Sequence, residues 1–149
     1  EEKNVVNHMW GLSKKMKSTI LLCVYTNITP MGSKTILIAD NDYIMQDQYK
    51  NILESHSHKV ITCNNGFDAV SKYIEFSPQI ILMDIELPKM NGYKTAWQIK
   101  EFDKNAIIIF FARQIQINEE YLKVQKKYSI PLYLKPVGVN DLLDIIKKY

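Results

Sequence analysis

Two short runs in this chain, Ile80–Met83 and Ile107–Phe111, are apolar at every position. A strand with one wet face alternates apolar and polar residues, so a strand with no polar position must be covered on both faces. Runs of this kind demand a parallel sheet held between layers of helix. The chain from residue 34 onward agrees. Strand-type runs are predicted at Thr35–Ala39, Lys59–Cys63, Gln79–Met83, Ala106–Phe111 and Leu132–Leu134. Amphipathic stretches of helical length follow them at Tyr43–Ser55, Gly66–Phe76, Tyr93–Phe102, Asn118–Lys127 and Val139–Lys148. In the last stretch Leu142, Leu143, Ile145 and Ile146 share a face, and lysines crowd the C-terminal end, where the helix dipole favours them. The spacing predicts a three-layer, doubly wound α/β domain over 34–149 with a five-stranded parallel sheet, of the flavodoxin-like class. Right-handed crossovers then put every strand C-terminus on one edge, and ligands in such folds bind at that edge near the topological switch point.

Residues 1–33 have a different texture and read as an N-terminal extension or linker. Val5, Val6, Met9, Leu12 and Met16 fit a short helix loosely, Thr19–Tyr25 fits an extra strand, and Thr29–Ser33 fits a linker. The chain begins with Glu1, which is compatible with a piece of a longer protein. Ile20–Tyr25 is too short to span a bilayer, and no signal-peptide cleavage pattern follows the N-terminus. A net charge of +3, with acids interspersed among the lysines, argues against a nucleic-acid partner. The nearest basic run, Lys14, Lys15 and Lys17, reads as a solvated segment. Cys23 and Cys63 have neither metal-ligand spacing nor the look of a disulfide framework, so a reduced, cytoplasmic setting is the simpler reading.

Charged residues stand at three of the strand ends. The first run ends in Asp40-Asn41-Asp42, the third in Asp84, and the fifth in Lys135-Pro136. If the first strand is central and flanked by the third, Asp40 and Asp84 meet in one crevice. Two carboxylates in contact repel each other unless a cation lies between them or a proton is shared. Hard oxygen ligands with open positions suit Mg²⁺, and Lys135 supplies a point charge for a phosphoryl oxygen. Such a set can carry a phosphoryl group on Asp84, attacking phosphorus in line as an aspartyl-phosphate nucleophile. Pro88 and Gly92 shape the loop after Asp84, whose Glu86 carbonyl is a further candidate metal ligand.

With these motifs, residues 35–149 resemble the receiver domain of two-component response regulators. ILIADND resembles the family's acidic cluster after the first strand, ILMDIELPKMNG its phosphoacceptor motif, and LKP at 134–136 its Lys-Pro. The resemblance implies Mg²⁺-dependent phosphoryl transfer from a partner's phosphohistidine to Asp84. It assigns the metal to Asp40, Asn41, Asp84 and the Glu86 carbonyl, and the phosphate counter-charge to Lys135. The implied partner is a histidine kinase or a histidine phosphotransfer protein, and the face of the fourth and fifth helices is the implied dimer or output surface.

The sequence also departs from the family in three places. Asn41 stands where a second acid is usual, and Asp42 either compensates for it or caps the following helix. Phe111 stands where a Ser or Thr hydroxyl normally contacts the phosphoryl group, and no Ser or Thr occurs between Thr95 and Ser129. Leu132 replaces the usual aromatic switch residue, and alternation turns Tyr133 to the opposite face. Three readings therefore stay open: a phosphoryl-accepting receiver, a pseudo-receiver that docks proteins without phosphorylation, and an unrelated flavodoxin-like enzyme. Arg113 is a candidate substitute for the missing hydroxyl, and the Glu86 side chain is a candidate to crowd the attacking water. His56 and His58 read as an exposed turn, His8 as a surface residue, and Trp97 and Phe102 as core.

Overall fold

The computed structural model describes residues 32–149. The readings made above for residues 1–31, including His8, Cys23 and the extra helix and strand, lie outside the described residues. The elements are β1 (Thr35–Ala39), α1 (Tyr43–Ser55), β2 (Lys59–Cys63), α2 (Gly66–Phe76) and β3 (Ile80–Asp84). They continue with α3 (Gly92–Phe102), β4 (Ile108–Ala112), α4 (Glu119–Tyr128), β5 (Leu132–Leu134) and α5 (Val139–Lys148). The sheet is wholly parallel, in the order β2-β1-β3-β4-β5. The chain reverses its direction of travel across the sheet between β1 and β3, so the switch-point crevice opens at the ends of those two strands.

Alternate residues of each strand feed two separate cores. Ile36, Ile38, Ile80, Leu82, Ile109 and Phe111 pack with Tyr49 and Leu53 of α1 and Leu142, Ile145 and Ile146 of α5. Leu37, Ala39, Ile81, Met83, Ile108 and Phe110 pack with residues of α2, α3 and α4, among them Ala69, Tyr73, Ala96, Ile99 and Val124. β3 and β4 are buried at every position, as their unbroken apolar runs require.

Polar residues fix where four helices start. Asp42 accepts from the N–H groups of Ile44 and Met45, Asn65 from Asp68, Asn91 from Lys94, and Asn118 from Tyr121. Each such cap is worth about 1 kcal/mol. The caps also account for small departures from the sequence reading. Asn118 is the cap of α4 and not its first residue, and α3 begins at Gly92 directly after its cap Asn91. β3 runs one residue later than expected because Gln79 is used outside the ladder. Its side-chain oxygen accepts from the Thr35 N–H (2.8 Å), and its own N–H donates to the Thr35 carbonyl (2.8 Å). β4 begins at Ile108, opposite Ile81, and extends through Ala112. Phe102 is not core: it is 68% exposed and meets only the edge of Tyr73, at 6.5 Å. Trp97 is half-buried against Tyr128 and the Lys123 and Lys127 ammonium groups.

His58 is more than an exposed turn residue. Its Nδ1 accepts from the backbone N–H of Lys34 (3.1 Å), and the Ser33 hydroxyl donates to the Ser57 carbonyl (2.7 Å), which ties the start of β1 to the α1–β2 turn. Partial burial, with Lys34 and His56 adding positive charge nearby, holds the His58 pKa below its ordinary value of 6.5. The folded state thus favours the neutral ring. Its contribution to stability is present above pH 6.5 and is lost as pH falls through the lowered pKa. Thermal melts from pH 7.5 down to 5 are expected to show a fall in Tm that His58→Gln flattens. An equal fall in the variant would remove His58 as the cause. Among the described residues no helix is long and apolar enough to cross a membrane.

Candidate functional site

Asp40 follows the last residue of β1, Asp84 is the last residue of β3, and Lys135 follows β5. The sheet order places the first two side by side, and the lysine reaches them from the far side of β4. Lys135 Nζ donates to Asp40 Oδ2 at 2.5 Å and to Asp84 Oδ2 at 2.7 Å. The three side chains are 3%, 8% and 3% exposed for Asp40, Asp84 and Lys135 respectively. Asp84 thus keeps a narrow opening to solvent. The remaining carboxylate oxygens are held by the following loops: Asp40 Oδ1 accepts from the Asp42 N–H (2.9 Å), and Asp84 Oδ1 from the Glu86 N–H (2.8 Å).

The electrostatics follow from this packing. Burial pushes the Asp40 carboxyl above its ordinary value, against the pull of Lys135, and the nearby Asp84 charge pushes the same way. Burial alone would lower the Lys135 ammonium, but the two carboxylates outweigh it and leave its pKa above the ordinary lysine value. Two carboxylates and one ammonium leave the pocket with one net negative charge. A residual negative charge in a buried pocket favours a further cation.

A hard dication fits this donor set, which consists of the Asp40 and Asp84 carboxylates with the Asn41 amide and Glu86 carbonyl as nearby oxygens. Asn41 and Glu86 are exposed. No cluster of three or more His, Cys, Asp or Glu occurs among the described residues, so a metal here would complete its shell with non-carboxylate oxygens. Asp42 is committed elsewhere. Its Oδ1 caps α1, and its Oδ2 accepts from Arg113 Nη2 at 2.7 Å.

The position paired with Asp84 on β4 is Phe111. Its ring meets Tyr49 edge-on at 5.6 Å and Tyr133 at 6.4 Å, which fills with aromatic carbon the space beside the acid. Leu132 packs into the core on the α3 and α4 side, and Tyr133 packs against the opposite core, as alternation requires.

Several contributing residues carry little signal in the sequence. Gln46 is buried, and its Nε2 donates to the carbonyls of Asp40 (3.0 Å) and Cys63 (2.8 Å), pinning the backbone beneath Asp40. A polar residue on the buried stripe with Tyr49 and Leu53 is the clue that could have found it. The Tyr49 hydroxyl accepts from the Val137 N–H (3.1 Å), just past the cis Lys135–Pro136 peptide. Gln116 Nε2 donates to Glu86 Oε1 at 3.0 Å. Cys63 is a free, buried thiol, with its pKa pushed up to about 12 by burial, which disfavours the thiolate that metal or redox chemistry needs.

Residues 36–147 match the family described as response regulator receiver domain. Among curated proteins, the chemotaxis protein CheY of Bacillus subtilis (strain 168) is 40% identical over 114 residues, covering 76% of this chain and 94% of that protein. CheY of Thermotoga maritima is 39% identical over 118 residues, covering 77% and 98%. Among solved structures, a CheY-like receiver domain protein from Methanospirillum hungatei JF-1 superposes with a TM-score of 0.71 at 26% identity, covering 78% of this chain and 92% of that one. The CheX-CheY-BeF3-Mg²⁺ complex from Borrelia burgdorferi gives a TM-score of 0.70 at 27% identity, covering 80% and 96%. A doubly wound sheet with two acids and a lysine gathered at its switch-point edge, matched over nearly all of its described length, places this chain in the response regulator receiver domain family.

Proposed function

We propose that this domain accepts a phosphoryl group on Asp84 from a phosphohistidine of a histidine kinase or histidine phosphotransfer protein, in a Mg²⁺-dependent reaction. The observation that carries the reading is the single ammonium of Lys135 bridging Asp40 and Asp84 at the switch-point edge. An Asp84 oxygen attacks phosphorus, the new O–P bond forms as the P–N bond to the donor imidazole breaks, and the imidazole nitrogen takes up a proton. Lys135 then pairs with a phosphoryl oxygen in place of the carboxylate oxygen it now holds, while the Glu86 N–H keeps the other Asp84 oxygen oriented. Mg²⁺, held by Asp40, Asp84, Asn41 and the Glu86 carbonyl, would supply charge neutralisation for the phosphoryl oxygens. Water attack on phosphorus later returns the Asp84 carboxylate and releases inorganic phosphate.

Exposed apolar residues on α4, β5 and α5 (Leu122, Leu134 and Val139) support a contact surface for an output partner or a second copy across that face. The buried free thiol of Cys63 is in keeping with a cytoplasmic setting.

The test is intact mass after incubation with acetyl phosphate and Mg²⁺. The chain is expected to gain the mass of one phosphoryl group. The gain should be absent in Asp84→Asn and when the metal is chelated. A wild-type chain that gains nothing, or a gain kept by Asp84→Asn, would overturn the assignment.

A further inference from the structure

Eighteen lysines but only one arginine occur in this sequence, and that arginine, Arg113, lies at the rim of the site. It follows Ala112, the last residue of β4, and stands two residues beyond Phe111, the residue paired with Asp84. Two side-chain bonds tie the segment after β4 to the rest of the rim. Arg113 Nη2 donates to Asp42 Oδ2 (2.7 Å), and Gln116 Nε2 donates to Glu86 Oε1 (3.0 Å). Asp42 and Glu86 are also the residues whose backbone N–H groups hold Asp40 Oδ1 and Asp84 Oδ1. The segment after β4 is therefore coupled to both acids of the site, through one residue in each case.

We propose that Arg113 is the phosphoryl ligand from the β4 side, leaving Asp42 for the phosphoryl oxygens on Asp84 and so reporting phosphorylation in a domain whose β4 offers no hydroxyl. This rests on the reading of Asp84 as phosphoacceptor. Phe111 has no polar atom and is locked between Tyr49 and Tyr133, so the report cannot come from that position. Arg113 is 64% exposed, and an exposed carboxylate–guanidinium pair is worth only about 0–1 kcal/mol. Its departure leaves Asp42 Oδ2 to solvent, where the side chain is 26% exposed, while Oδ1 still accepts from Ile44 and Met45 and keeps the α1 cap. A phosphoryl group brings more negative charge and more acceptor oxygens than the carboxylate, in a form that a guanidinium can bind with two parallel N–H groups. The exchange pulls the segment after β4 away from the β1–α1 loop and toward Asp84.

The experiment compares the full wild-type chain with Arg113→Ala, Arg113→Lys, Asp42→Ser and the Arg113→Ala/Asp42→Ser double variant. Intact mass with acetyl phosphate reads phosphoryl gain, and titration with beryllofluoride in Mg²⁺ reads affinity for a phosphoryl mimic. Arg113→Ala is expected to gain the phosphoryl group still, but to bind beryllofluoride at least about tenfold more weakly, with Arg113→Lys partly restored. Asp42→Ser keeps a side-chain oxygen to cap α1 and frees the arginine, so it is expected to bind more tightly than wild type, and that gain should vanish in the double variant. If Arg113→Ala and Asp42→Ser shift affinity in the same direction, the pair is only a brace and the proposal is overturned. It is equally overturned if Arg113→Ala matches wild type, or if the Asp42→Ser gain survives without Arg113. A wild-type chain that neither gains a phosphoryl group nor binds beryllofluoride overturns the reading of Asp84 itself, and this inference with it.

Discussion

Replacing Lys135 by methionine is expected to destabilise the fold by about 3 kcal/mol or more, even though methionine fits the space of the aliphatic stem. The Lys135 side chain is 3% exposed, and its ammonium is the shared partner of two carboxylates that are also deeply buried. Once it is gone, Asp40 and Asp84 face each other with no counter-charge, and burial already holds the Asp40 pKa up with the lysine present. Breaking a buried ion pair from one side leaves an uncompensated charge, and that penalty exceeds what the intact pair contributes. Two controls separate this account from a simple packing defect. Millimolar Mg²⁺ should recover part of the lost stability, by mass action on the vacated pocket. Adding Asp40→Asn to Lys135→Met should recover part of it without metal. Chemical denaturation of the three chains with and without Mg²⁺ checks both. A double variant no more stable than Lys135→Met would place the cost in packing and not in charge.

Gly92→Ala is expected to have a comparable effect for a purely steric reason. A methyl group at this position would lie 2.3 Å from the Asp84 carbonyl oxygen and 2.7 Å from Ile85 Cα. These are backbone atoms of the strand end that carries Asp84, the proposed phosphoacceptor, so no side chain can rotate away to make room. The Gly92 N–H also donates to the Ile85 carbonyl at 2.9 Å, which fixes the first residue of α3 against the end of β3. An alanine must push these two backbones apart, and we expect a loss of about 2–3 kcal/mol, together with displacement of Asp84 from Lys135. Phosphoryl gain with acetyl phosphate should fall more than tenfold, even under conditions where the variant remains folded. Gly138→Ala is the control. Its added methyl would meet only Asp141 Oδ2, at 3.5 Å, and the change should cost no more than about 1 kcal/mol, the loss of a glycine N-cap. If Gly92→Ala were as well tolerated as Gly138→Ala, the close approach would not control the position of Asp84.

The two unbroken apolar runs were enough to require a sheet covered on both sides, because a parallel strand under helices has no wet face to encode. Among the described residues five helices and five strands were legible from periodicity, and the disagreements there are confined to element ends. Asn118 reads as the start of a helix because a capping residue and a first helical residue look alike in a string. Gln79 reads as strand because nothing local reveals that its side chain closes the entry to β1. Phe102 reads as core because its helix has an apolar stripe, yet it ends that helix on the open side.

Asp40, Asp84 and Lys135 were legible as candidates because each interrupts or ends an apolar run, where a charge is costly unless it has a use. Their meeting point was legible only as a condition on strand order. It requires β1 beside β3, with β5 close enough across β4 for a lysine to reach both acids, and strand order is a property of the packed sheet. Beyond the cap that Asp42 places on α1, the partners of Asp42, Glu86 and Gln46 were illegible. Arg113 lies 71 residues from Asp42, and Gln116 lies 30 from Glu86. Local periodicity is set by neighbours within a few positions, so the chain itself determines its layers and which strand ends carry charge. Which of those charges touch is decided only when distant strands pack, because a hydrogen bond is sensitive to tenths of an ångström that no spacing along the chain encodes.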